Sequence, residues 1–173
     1  MKDILVVVDM QKDFVDGSLG TKEAKEIVEN MLDLVKNFKG DIYFTKDTHE
    51  GDYLATQEGK NLPVEHCIKG TDGWEIIDAL KPYAKADNII DKPTFGSKDL
   101  AERLKEINDS DGIKSITLAG LCTDICVISN AMVLKAFMPE VPIKVVESAC
   151  AGVSPESHKR ALDAMKVCQV EII

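Results

Sequence analysis

The sequence predicts an α/β protein, a doubly wound parallel sheet in three layers (α/β/α), with residues 1–173 forming one domain. Three observations predict it. Continuous apolar runs such as Ile4-Leu5-Val6-Val7-Val8 mark strands buried on both faces, as the strands of a parallel sheet are. These runs alternate along the chain with segments of helical periodicity. Side chains capable of chemistry follow four successive predicted strands, and open α/β sheets place their sites at the carboxyl ends of the strands.

The first strand, residues 4–8, ends at Asp9 and is followed by Met10-Gln11-Lys12-Asp13-Phe14 and the turn Asp16-Gly17-Ser18. Residues 21–38 predict one helix, because Ile27, Met31, Leu34, Val35 and Phe38 fall on one stripe; Gly40 stops it. Residues 42–45 are the second strand, running into Lys46-Asp47-Thr48-His49. Residues 50–73 have little periodicity, and a loop of that length in a compact domain is functional or disordered. Its Glu58, Pro63, His66, Cys67 and Gly70 favour function. Residues 74–80 predict a short helix ended by Pro82.

The third strand, residues 88–91, leads into Lys92-Pro93-Thr94-Phe95-Gly96, and Ser97 is placed to cap a helix through Ile107. Residues 115–119 form the fourth strand, stopped by Gly120. Thr123-Asp124 then reads as a helix-capping pair that puts Cys126 in the first turn of a helix running through Asn130, Met132 and Lys135. Residues 142–146 are the fifth strand. Ser154-Pro155-Glu156 opens the last helix, with proline at its first position, and residues 167–173 hold a sixth strand.

The bulk properties exclude several classes. With 45% hydrophobic and 29% charged residues, the composition is that of a globular protein. A formal charge of −9 argues against nucleic acid or an anionic membrane surface as partner. No apolar run approaches the roughly 18 residues of a membrane span, and Asp3 and Asp9 bracket the N-terminal run, unlike an export signal. The five cysteines, at 67, 122, 126, 150 and 168, have no disulfide-scaffold spacing and read as reduced thiols in a cytoplasm.

A thiol at a helix N-terminus faces backbone N–H groups and the positive end of the dipole, which favour thiolate. Cys126 is therefore a candidate nucleophile, although Cys122 and Cys126 also fit small core residues. A zinc pair fits them poorly, since no second pair accompanies it. Asp9 alone reads as a strand-end turn former, and Lys92 alone as a surface lysine. Together with Cys126 they make chemical sense: an ammonium near Asp9 holds the carboxylate, and both tune the thiol. Asp47 and His49 alternate at a strand end and, with His66 and one more carboxylate, suit a divalent metal; the alternative is polar loop residues. His158, on the last helix, reads as solvent-facing.

The motif Gly120-Leu121-Cys122-Thr123-Asp124-Ile125-Cys126-Val127 resembles the nucleophile motif of the isochorismatase-like cysteine hydrolases, the nicotinamidase/pyrazinamidase branch above all. Asp9-Met10-Gln11-x-Asp13-Phe14 and Lys92-Pro93-x-Phe95 are similar to the flanking motifs of that family. The resemblance implies a catalytic triad of Asp9, Lys92 and Cys126. It also implies an oxyanion hole from the backbone N–H groups of Cys122 and Cys126, with a cis peptide at Leu121–Cys122. It assigns Asp47, His49 and His66 as metal ligands with Glu58 as the fourth, in competition with Glu50, Asp52 and Glu65. The implied cofactor is a divalent metal, zinc first, with manganese and iron as alternatives.

Phe14 and Trp74 become an aromatic wall for a flat ring, unless they only pack. The implied reaction is hydrolysis of nicotinamide or a related small carboxamide through a thioester, in a homo-oligomer. Two features depart from the family pattern: Leu62-Pro63-Val64 stands where an aromatic is usual, and Cys122 replaces a small Ala or Ser. Two other readings stay open. One is hydrolysis of another small amide or ureido acid on the same fold. The other is a non-catalytic metal- or redox-responsive protein using Cys122, Cys126 and His66-Cys67.

Overall fold

In a computed structural model covering residues 1–173, six parallel strands form one sheet. They are β1 (Lys2–Val8), β2 (Asp41–Asp47), β3 (Ile89–Lys92), β4 (Ile113–Leu121), β5 (Ile143–Ala151) and β6 (Glu171–Ile172), in the spatial order β3-β2-β1-β4-β5-β6. Helices α1 (Lys12–Val15), α2 (Lys22–Glu26), α3 (Val28–Asn37), α4 (Gln57–Asn61), α5 (Lys98–Ser110), α6 (Ile128–Phe137) and α7 (Pro155–Val167) connect them and cover both faces of the sheet. No helix is long and apolar enough to cross a membrane.

The most apolar run lies at the centre. Ile4 to Val8 of β1 are fully buried between β2 and β4, with Val8 paired to Thr45 on one side and Gly120 on the other. Gly120 has φ +129°, and a Cβ there would sit 2.1 Å from the Val8 carbonyl oxygen. Only glycine lets the two backbones run this close. The strand order reverses between β1 and β4, which makes that edge the switch point where α/β sheets open a crevice.

Local signals fixed several helix starts. Ser97 Oγ accepts from the Leu100 N–H at 3.1 Å, and Ser154 forms a capping box with Ser157. Other expectations are corrected. The helix predicted over residues 21–38 is two helices joined at Ile27; the buried stripe Ile27, Met31, Val35 continues across the join, so periodicity does not record it. Residues 74–80 form no helix. Their backbone bonds to the segment after β1 instead, Lys12 N–H to Glu75 O at 2.9 Å and Ile77 N–H to Met10 O at 3.0 Å, and a 3₁₀ turn follows at Lys81–Tyr83. The stretch 50–73 contains α4. The fifth strand extends to Ala151, beyond the predicted 142–146.

Candidate active site

The carboxyl ends of β1 to β4 deliver Asp9, Asp47, Lys92 and Cys126 to one edge of the sheet, as the sequence predicts. Asp9 has φ +48°, a left-handed conformation unusual for a residue with a side chain. It is held there from both sides. Its N–H donates to Thr45 O at 3.2 Å, and its carbonyl accepts from Gln11 N–H at 2.7 Å. Thr45 Oγ1 donates to Asp9 Oδ1 at 2.6 Å.

Lys92 is the hub of the site. Its fully buried ammonium lies 2.7 Å from Asp9 Oδ2, 3.2 Å from Asp47 Oδ1 and 3.3 Å from Cys126 Sγ, and it donates to Thr94 O at 3.1 Å. Burial alone would lower Lys92, but Asp9, the Cys126 sulfur and Asp47 outweigh it and hold the ammonium charged. Burial raises Asp9, Lys92 opposes, and Asp47 adds to the rise. Asp9 Oδ2 faces the ammonium as an ion pair yet accepts no aligned hydrogen bond, so it keeps acceptor capacity.

The expectation of a lowered thiol pKa at Cys126 is corrected. Burial pushes this thiol well above its ordinary value and the Asp9 charge adds to the rise, against Lys92. Cys126 lies in a five-residue π turn, Thr123–Val127, whose N-cap is Cys122. Thr123 and Asp124 therefore do not cap the helix. Both side chains reach across to α7 instead. The peptide at Leu121–Cys122 is cis, as the resemblance implied.

Beside this group, Asp47, His49, Glu58 and His66 each offer one ligand atom, and these atoms all lie within 4.8 Å of one another. His49 Nε2 is 3.0 Å from Asp47 Oδ2 and 3.6 Å from Glu58 Oε1. His66 Nε2 is 3.6 Å from the same two oxygens. His66 Nδ1 pairs with Val64 O at 2.8 Å, and a proton donated there leaves the Nε2 lone pair facing the cluster. Two imidazoles and two carboxylates, one ring nitrogen already oriented, fit a divalent transition metal. Of the four competing acids, only Glu58 reaches the cluster. Burial acts against a charged His66, yet hydrogen bonds to Asp47, Glu58 and Val64 O raise it to about 10. Asp47 lies well below the carboxylate range: burial would raise it, but His49, His66 and Lys92 hold it down.

Both groups open on one cavity of about 690 Å³, lined by Phe14, Leu62, Cys122, Ile125 and Val153 among others. The Phe14 and His66 ring centroids are 5.5 Å apart. Trp74 is not in this cavity, which corrects the predicted aromatic wall. Its indole N–H donates to Thr48 Oγ1 at 2.9 Å and its ring lies 3.0 Å from Lys46 Nζ, which hold it on another face. His158 is not solvent-facing either. It is half-buried, with Nδ1 2.8 Å from Thr123 Oγ1.

Several supporting residues carry no role in the sequence reading. Gln11 is fully buried; its Nε2 donates to Asp47 O and Trp74 O at 2.9 Å, and its Oε1 accepts from Asp47 N–H at 2.7 Å. Asp13 Oδ2 accepts from Cys67 N–H at 2.8 Å and so anchors the chain next to His66. Asn130 bridges Cys126 O, Phe95 O and Ser97 N–H, joining the cysteine helix to the segment after Lys92. Gln11 and Asp13 sit in the motif after the first strand, and that motif was the available signal.

The isochorismatase domain profile matches residues 3–173. A Bacillus subtilis protein described as the isochorismatase family protein PncA is 33% identical over 94% of this chain and 93% of its own length. The crystal structure of nicotinamidase/pyrazinamidase PncA from Bacillus subtilis superposes with a TM-score of 0.84 at 28% identity, over 99% of both chains. The Pyrococcus horikoshii pyrazinamidase, determined in complex with zinc, gives 0.81 at 26% identity over 100% of this chain and 99% of its own. With its strand-end chemistry, parallel topology and full-length match, the chain belongs to the isochorismatase family, in its nicotinamidase/pyrazinamidase branch.

Proposed function

We propose that residues 1–173 act as one domain that hydrolyses a small carboxamide, nicotinamide first, to the acid and ammonia through a thioester on Cys126. The observation that carries this reading is the continuous buried chain Thr45–Asp9–Lys92–Cys126, opening on the same cavity as the four-ligand cluster. The family's nicotinamidase and pyrazinamidase members support the substrate class.

In the resting site the thiol carries its proton beside a carboxylate with acceptor capacity. Asp9 takes that proton as Cys126 Sγ attacks the amide carbonyl. The Cys122 and Cys126 N–H groups stabilise the oxyanion of the tetrahedral intermediate. Collapse breaks the C–N bond, Asp9 returns the proton to the departing ammonia, and the acyl group remains as a thioester. Asp9 then removes a proton from water as it attacks the thioester, and gives that proton back to the Cys126 thiolate. Lys92 keeps Asp9 in place and balances the charge that moves between Asp9 and Sγ.

Asp47, His49, Glu58 and His66 would hold a divalent cation, with zinc the first assignment for two imidazoles and two carboxylates. When bound, the cation supplies a Lewis-acidic position for a ring heteroatom of the substrate. Phe14 packs beside His66 at the cavity wall and flanks that ring. The five free thiols support a reducing, cytoplasmic setting. Self-association belongs to the same reading and is read by sedimentation.

The test is ammonia release from nicotinamide, pyrazinamide and other small amides by wild type and Cys126→Ala, both loaded with zinc. Release by wild type and its loss by a factor on the order of a thousand in Cys126→Ala are expected. Full turnover by Cys126→Ala contradicts the mechanism.

A further inference from the structure

The turn that carries Cys126 has no side-chain cap of its own. Its Ile125 and Val127 N–H groups both bond to Cys122 O, at 3.1 and 3.0 Å. The side chains of its first two residues leave the turn altogether and reach the first turn of α7. Thr123, with no exposed surface, pairs through Oγ1 with His158 Nδ1 at 2.8 Å. The Asp124 carboxylate accepts from the Val153 N–H at 3.2 Å and from Ser157 Oγ. A carboxylate at a helix N-terminus is favoured by the dipole.

This joint is tight. A Cβ on Gly152 would meet His158 Cα at 2.9 Å, so the strand end and the helix start are in direct contact there. The joint also reaches the cavity from two sides. Thr123 follows Cys122 directly and precedes Cys126 by three positions, and Val153 lines the cavity. Removing the His158 partner leaves a fully buried hydroxyl unpaired, in the segment that aims the nucleophile.

We propose that His158 is a positioning residue: through Thr123 Oγ1 it fixes the turn that aims Cys126 Sγ and the Cys122 and Cys126 N–H groups at the reacting carbonyl. It touches none of the reacting atoms. The contact is made by one ring nitrogen, Nδ1, whose position an asparagine amide can imitate and a glutamine amide overshoots. The inference rests on Cys126 as the nucleophile.

The experiment measures kcat and KM for His158→Ala, His158→Gln and His158→Asn on the amide that wild type turns over, with thermal unfolding of each variant. His158→Ala and His158→Gln are expected to lower kcat by roughly tenfold or more with KM within about twofold, because sub-ångström misplacement acts on the chemical step. His158→Asn is expected to recover most of that loss. If the alanine variant does not fold, the asparagine–glutamine pair carries the comparison. Wild-type kcat in His158→Ala, equal loss in the asparagine and glutamine variants, or an effect confined to KM overturns the proposal. Cys126→Ala is assayed alongside, so that turnover surviving in it identifies a failure of the nucleophile assignment, separate from any failure at His158.

Discussion

The Asp9–Lys92–Cys126 group and the Asp47–His49–Glu58–His66 group share one cavity but are held by different kinds of structure. Asp9 and Lys92 are fixed at the ends of β1 and β3, both registered on β2 between them, Cys126 by the turn that follows β4, and their mutual charges are buried almost completely. The second group is strand-built on one side only. Asp47 and His49 extend β2, whereas Glu58 and His66 come from the long segment before residue 74, held by backbone bonds such as His49 N–H to Cys67 O at 3.0 Å. Lys92 is the single ammonium facing both Asp9 and Asp47. The difference teaches that the protein itself completes the first group, while the second is a cage whose remaining negative charge suits a cation.

The largest expected effect breaks the hub. Lys92→Ala leaves two buried carboxylates without their counter-charge and should cost about 3–5 kcal/mol of stability, read by urea unfolding. The same variant should lose turnover by roughly a thousandfold or more. A variant of wild-type stability would show that the two groups do not depend on a common charge.

Next in size is the cage. His66→Ala should weaken zinc binding by more than the roughly 10–100-fold typical of losing a residue that only orients a ligand, measured calorimetrically, with a smaller stability loss than Lys92→Ala. The metal-free protein adds a sign. His66 is raised to about 10 in the folded chain, against an ordinary imidazole value near 6.5. The folded state therefore holds this proton more tightly, and the stability it contributes is complete below pH ~6.5 and lost as pH rises toward ~10. The urea midpoint of metal-free wild type should fall across that window, and the fall should shrink in His66→Ala.

The smallest effect sharpens the comparison at the loop. Thr56 Oγ1 accepts from the Gly59 N–H at 3.0 Å and caps α4, which carries Glu58. Thr56→Ala should cost about 1 kcal/mol locally, lowering zinc affinity by roughly fivefold with little change in global unfolding. A global loss as large as that of Lys92→Ala would mean that this helix is part of the core.

What the sequence made legible follows the same division. The buried strands announce themselves as apolar runs, and the reactive residues after them inherit their places from the sheet. That is why Asp9, Asp47, Lys92 and Cys126 could be read in order. α4 could not be read: Thr56-Gln57-Glu58-Gly59-Lys60-Asn61 has no apolar stripe and contains a glycine, so its helix rests on a cap and a tertiary seat against Tyr53. His158 was misread because its partner, Thr123, lies 35 residues away, and helical periodicity says nothing of such a pairing. Trp74 was misplaced because an aromatic near a site motif does not reveal which face it packs on. The raised thiol at Cys126 was missed because a helix-start cysteine shows its dipole in the sequence and its burial only in the fold.

The central claim is that Cys126 carries the acyl group. Acid quenching of zinc-loaded enzyme during turnover of nicotinamide, followed by peptide mass spectrometry, tests it most directly. The account predicts an acyl adduct on the peptide at Cys126, absent in Cys126→Ala. An adduct on Cys122, or undiminished turnover by Cys126→Ala, would contradict it.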